Sequence, residues 1–264
     1  LRSLVGSEMC IRDRYTASGF AACGTLFNSV FGLNYQKSMI VCAIVIVLYT
    51  SMGGFLAAST TDLIQGLLMS FAIVIVLIVG IVNAGGVANV VAHGQALDGF
   101  FDIMKYHDPA TGNAVSQGSI PILSGLAWGL GYFGMPHVLL RFMAIEDEEK
   151  LKLSRRVASI WVVISLSVAV FIGIVGLSMT KAGAIETLTG SNSETIIVKI
   201  AHLLSTHGVA TAIISGVILA GILAATMSTA DSQLLAAASS ISQNILTDVS
   251  VSYTHLTLPT TSRV

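Results

Sequence analysis

The chain has 264 residues, of which 54% are hydrophobic and only 10% charged, against about 25% charged in an ordinary soluble domain. Its mean hydropathy is +0.83, which argues against a soluble globular domain and excludes a disordered chain, since disorder needs low hydrophobicity and high charge. A net charge of −1 gives no basic footprint for nucleic acid, and three cysteines without a CxxC pair define no disulfide framework. Long unbroken apolar runs then predict an all-α polytopic membrane protein. A β-barrel would instead show short alternating segments.

Residues 1–14 and 250–264 stand apart from what lies between them. The runs LVGSEMCIRDR (4–14) and VSYTHLTLPTT (251–261) lack helical periodicity and resemble translated sequencing-adapter sequence. On this reading residues 15–249 are an internal fragment of a longer gene, and both ends fall outside the fold.

A spanning helix needs about 20 mostly apolar residues. In chain order the charge-free runs predict a truncated span at 15–31, then full spans near 38–58, 62–84, 120–144, 157–180 and 208–232, which makes five full spans and one partial. The third ends at Asn83-Ala84-Gly85-Gly86. Lys and Arg favour cytoplasmic loops. Arg141, Lys150, Lys152, Arg155 and Arg156 therefore place the link after the fourth span inside, next to the acidic run Glu146-Asp147-Glu148-Glu149. By alternation the turn near Gly53-Gly54 is also inside, and the links 85–119 and 181–207 are outside. Residues 194–204 alternate at helical spacing and predict a short interfacial or lid helix.

Polar residues within the spans carry the candidate chemistry. The fourth span reads Trp128-Gly129-Leu130-Gly131-Tyr132-Phe133-Gly134-Met135-Pro136-His137. Glycines and a proline weaken a helix, and Pro136 would leave the carbonyl of Tyr132 without its amide partner. Open backbone at membrane depth is tolerated only within protein or beside a water-filled cavity, and interrupted helices often form carrier substrate sites. Trp128 and Tyr132, four apart, would share a face suited to a small zwitterion. The same residues also fit a kinked helix whose glycines serve close packing.

In the sixth span Ser228 and Thr229 follow Ala225 by three and four positions, so one turn could present a carbonyl and two hydroxyls at one point. Hard cations such as sodium prefer oxygen ligands. The alternative is plain back-bonding of both hydroxyls to the preceding turn. Asp231 lies near the inner end, where solvation would suffice. Asp62, after Ser59-Thr60-Thr61, reads either as a carboxylate stabilised by a helix N-terminus or as an acid at the mouth of a cation path. No HExxH, Walker A or GxSxG run occurs, so nothing here supports a membrane protease, pump ATPase or lipase.

Three ordered runs, YTSMGGFLAASTTDLIQG (49–66), WGLGYFGMPHVLLRFMA (128–144) and ILAATMSTADSQLL (222–235), resemble the solute:sodium symporter family, nearest its bacterial sodium/proline branch. The resemblance covers residues 15–249. It implies a fragment of a LeuT-type inverted-repeat transporter in a bacterial plasma membrane, and sodium-coupled symport of a small solute, proline first, by alternating access. No cofactor is implied beyond sodium as coupling ion. It further implies substrate binding at Trp128, Tyr132 and Pro136, sodium binding at Ala225, Ser228 and Thr229, and an ion pathway past Asp62. Met135 stands where proline carriers usually have glutamine. Some members of the family are fused to signalling kinases, so a sensory module is the alternative to a carrier. Neither reading makes the protein an enzyme.

Overall fold

The computed structural model describes residues 2–108, 111–132, 135–145, 147–188 and 190–241, with only the backbone described at 2–15, 128, 136, 137, 140, 191, 240 and 241. The expected separate terminal segment 250–264 lies outside the described residues. Eight α-helices follow one another among the described residues: α1 (Arg2–Phe31), α2 (Tyr35–Asn83), α3 (Val87–Gln95), α4 (Ser119–Gly131), α5 (Pro136–Met143), α6 (Glu148–Lys181), α7 (Ile196–Ser205) and α8 (Val209–Ile241). Between α3 and α4, β1 (Lys105–His107) and β2 (Ala114–Ser116) form an antiparallel hairpin with Tyr106 opposite Val115.

Among the described residues three helices are long and apolar enough to cross a membrane: Tyr35–Asn83, Glu148–Lys181 and Val209–Ser239. The protein is thus a mostly helical membrane chain. Met52, Leu56, Ile160, Val163 and Val170 are exposed on these helices. Water rejects such a surface, whereas hydrocarbon accepts it as readily as a protein interior.

The helix boundaries depart from the sequence reading in informative places. The first helix extends back to Arg2 rather than starting at 15. Residues 2–14 hold one glycine and no proline, so nothing in them stops a helix. The second and third expected spans form one hydrogen-bonded element of 49 residues, broken by non-helical backbone at Gly54 (φ 59°, ψ −152°). A straight helix of that length would run about 73 Å, more than twice the roughly 30 Å hydrocarbon core. The break therefore sits before Ser59-Thr60-Thr61, at a residue whose missing Cβ permits that backbone. The expected break after Asn83 is present, with Gly85 and Gly86 at φ 84° and 98°. The helix expected over 194–204 forms as α7.

The chain divides into two compact units. One comprises Leu1–Met69, Leu140–Lys150 and Leu219–Val264, and the other Ser70–Leu139 and Leu151–Ile218. In the first, Cys23, Ile46 and Ala230 are buried together, with Phe20, Cys42, Tyr49, Leu223, Met227 and Leu234 against them. A Cβ on Gly19 would lie 3.3 Å from that of Ala230, the close approach that small residues allow between membrane helices. In the second unit, a Cβ on Gly80 would lie 2.5 Å from Val175 Cγ1, and one on Gly176 would lie 2.8 Å from Ile196 Cγ1. Glycine is what lets α2 and α7 each lie against α6.

Candidate functional site

The fourth span is interrupted where the sequence weakens it: α4 ends at Gly131 and α5 begins at Pro136. Proline suits the first turn of α5, where its missing N–H costs nothing. Met135 completes that start, its carbonyl accepting from the amides of Val138 and Leu139 at 3.1 Å each. The expected orphan carbonyl does not appear, because the amide of Met135 donates to Tyr132 O at 3.3 Å. A tightened turn replaces the bond that Pro136 cannot make. Tyr132 is 47% exposed at the end of α4. The side chains of Trp128, Pro136 and His137 lie outside the described residues.

On α8 the expected oxygens converge. Ser228 Oγ donates to Ala225 O at 3.2 Å, and Thr229 Oγ1 donates to the same carbonyl at 3.1 Å. This is the back-bonded arrangement, and it also gathers three oxygens on one turn. Each hydroxyl keeps lone pairs for a cation while donating its proton.

One turn further along α8 lies a polar cluster that the sequence disclosed only in part. Asp231 is fully buried and not solvated as expected. It accepts a hydrogen bond from Tyr49 Oη at 2.8 Å. Ser232 Oγ donates to the carbonyl of Ser228 at 2.9 Å and lies 3.4 Å from Asp62 Oδ2. Arg141 donates to Ser232 Oγ at 2.6 Å and, through the same nitrogen, to Asp62 Oδ2. Asp62 therefore does not sit at a helix N-terminus. The preceding break is at Gly54, two turns earlier, and Thr60 and Thr61 bond back to Leu56 and Ala57 inside the helix. The charge of Asp62 is balanced by a guanidinium instead.

Tyr49, Arg141 and Ser232 were thus missed as site residues. Arg141 could have been suspected as a cation close to the interrupted span, but its role there depends on a contact 79 positions away. Asp147, in the acidic run after it, acts locally, since its Oδ1 accepts from the amide of Glu149 at 3.0 Å and caps α6. Among the described residues no cluster of His, Cys, Asp and Glu could hold a metal ion. The hydroxyl and carbonyl set on α8 is of a different kind.

Apolar helices long enough to span and an interruption at glycine and proline within one of the expected spans are features that recur in helical membrane carriers. A family model, the sodium:solute symporter family, matches residues 7–256, and the chain belongs to that family. Among its relatives, the high-affinity proline transporter PutP of Bacillus subtilis is 38% identical over 232 residues, 88% of this chain and 45% of the relative. The osmoregulated proline transporter OpuE of the same organism is likewise 38% identical over 232 residues, 44% of its length. A sodium/proline symporter of Staphylococcus aureus is 36% identical over 230 residues, 87% of this chain and 41% of the relative. The chain thus spans less than half the length of these curated relatives. No solved structure matches it.

Proposed function

We propose that this chain is part of a sodium-coupled carrier of a small solute, with L-proline as the first candidate. The observation that carries the reading is the meeting of Ala225 O, Ser228 Oγ and Thr229 Oγ1 on one turn of α8. Family membership and relatives named as proline transporters support it. Sodium, a hard cation, takes these oxygens as ligands. Trp128, Tyr132 and Pro136, around the interruption between α4 and α5, form the substrate site. Asp62 lies on the ion path at the inner end.

The fold of this reading is a piece of a LeuT-type inverted repeat in the plasma membrane, with α1 as a partial span. Five full spans follow: the two arms of α2 on either side of Gly54, α4 with α5, α6 and α8. Sodium stabilises the conformation that binds solute, so the two ligands are linked by a coupling free energy, and the inward gradient drives uptake. No bond of the solute is made or broken.

The test is uptake of labelled proline by the full-length carrier in a transport-deficient host, with and without a sodium gradient. Saturable, sodium-dependent uptake is expected. A well-expressed, correctly inserted protein that takes up proline equally well without sodium would overturn the coupling. One that takes up no proline at all would move the substrate elsewhere in the family.

A further inference from the structure

We infer that Arg141 is a tethered cation that competes with the coupling ion for the inner end of its path. The inference rests on the sodium-carrier reading above. A single guanidinium nitrogen donates both to Asp62 Oδ2 and to Ser232 Oγ. Ser232 in turn donates to the carbonyl of Ser228, whose hydroxyl bonds to Ala225. The guanidinium is therefore joined to the oxygen turn through one serine. Residues 228 and 232 are one helical turn apart, about 6 Å along the axis.

Two observations support a pair that can open. Asp62 is 9% exposed at its side chain while Arg141 is 49% exposed, so the carboxylate is held inside and the guanidinium is not enclosed around it. The second carboxylate oxygen, Asp62 Oδ1, is buried with no hydrogen-bond partner among the described residues. A bidentate arginine would satisfy both oxygens and lock the pair, whereas this arrangement engages one and leaves the other for a second cation. Two positive charges cannot share Asp62 cheaply where little water screens them. When the guanidinium is seated, it repels sodium from the neighbouring turn. When sodium occupies the path, the long, flexible Arg141 side chain returns to water, where its charge is solvated. Seating of Arg141 thus empties the site toward the inside, and the carboxylate is never left without a counter-charge, the costly state for a buried ion.

The experiment measures binding of radiolabelled sodium to the purified full-length protein, alone and with proline, for wild type, Arg141→Gln, Arg141→Lys, Asp62→Asn and the double variant Arg141→Gln/Asp62→Asn. Arg141→Gln is expected to bind sodium roughly 5- to 50-fold more tightly, the range of ordinary coupling between sites, and to release it more slowly. Arg141→Lys keeps the charge on a shorter reach and is expected to fall between. In the Asp62→Asn background the gain from Arg141→Gln should vanish. Sodium affinity unchanged in both Arg141 variants, or an equal gain with and without Asp62, would overturn the proposal. Proline uptake is scored separately. A wild type that binds sodium but carries no proline strikes the substrate reading alone, and a normal sodium-driven proline carrier indifferent to Arg141 strikes this inference alone.

Discussion

Tyr49 and Asp231, 182 positions apart, are joined by a hydrogen bond of 2.8 Å from the phenol to a fully buried carboxylate. The bond fixes the first arm of α2 against α8 beside the core formed by Cys23, Ile46 and Ala230. A hydrogen bond to a charged group contributes about 1.5–3 kcal/mol, and losing the donor leaves the carboxylate short of a partner. Tyr49→Phe should therefore lower stability by about that amount while keeping the ring's packing. Thermal unfolding of the purified protein in detergent checks it. In Asp231→Asn the same phenylalanine change should cost less, because the acceptor is then neutral. Equal costs in both backgrounds would show that the bond contributes nothing specific.

The oxygen turn on α8 yields the most direct functional prediction. Removing one hydroxyl deletes one oxygen but leaves the Ala225 carbonyl in place. Ser228→Ala and Thr229→Ala should each raise the sodium concentration for half-maximal uptake by roughly 10-fold, equivalent to about 1.4 kcal/mol of ion binding. Maximal uptake at saturating sodium should fall less. Unchanged sodium dependence in both variants would remove these residues from the ion site.

What could be read from the sequence divides along physical lines. The break at Gly85-Gly86 and the interruption before Pro136 are local signals, and the structure places both where the sequence does. The oxygen turn is also local, since Ala225, Ser228 and Thr229 meet through helical periodicity alone. Asp231 and Asp62 misled because their partners are remote. A carboxylate near a helix end normally meets water or the helix dipole; here one meets Tyr49 and the other Arg141. The second arm of α2 starts earlier than the sequence suggests, and for a local reason. Asp62 reads as opening a helix after Ser59-Thr60-Thr61, but Thr60 and Thr61 bond back within the helix, and the chain breaks at Gly54 instead.

Gly54 has a backbone conformation that side chains strongly disfavour, although a Cβ there would meet no neighbour within 4 Å. Strain and crowding can therefore be separated at this position. Gly54→Ala should cost about 1–3 kcal/mol through the backbone alone, seen as reduced thermal stability or a lower yield of inserted protein. Gly66 also has open space around it but no positive φ, so Gly66→Ala is the control. It should be neutral or slightly stabilising, as alanine favours helix over glycine. If both substitutions cost the same, the break at Gly54 is not set by glycine's conformational freedom.

A pH dependence is expected in the segment between α6 and α8, where Lys199 on α7 donates to Glu186. That hydrogen bond, with the lysine's charge, lowers the glutamate pKa from its ordinary 4.5. A carboxyl with a depressed folded-state pKa contributes stability above its unfolded value and loses it as pH falls through the folded value. The tether on α7 should therefore hold from neutral pH down to about 4.5 and weaken below that. Both groups are exposed, so the effect is local and small, and salt should reduce it. Amide exchange along Ile196–Ser205, corrected for the intrinsic pH dependence of exchange, is the measurement. Wild type should lose protection below the ordinary glutamate pKa. Glu186→Gln should start with less protection and show no such step, because the amide does not titrate. Identical profiles for the two proteins would mean that Ile200 and Ala201, both buried, hold α7 without help from the ion pair.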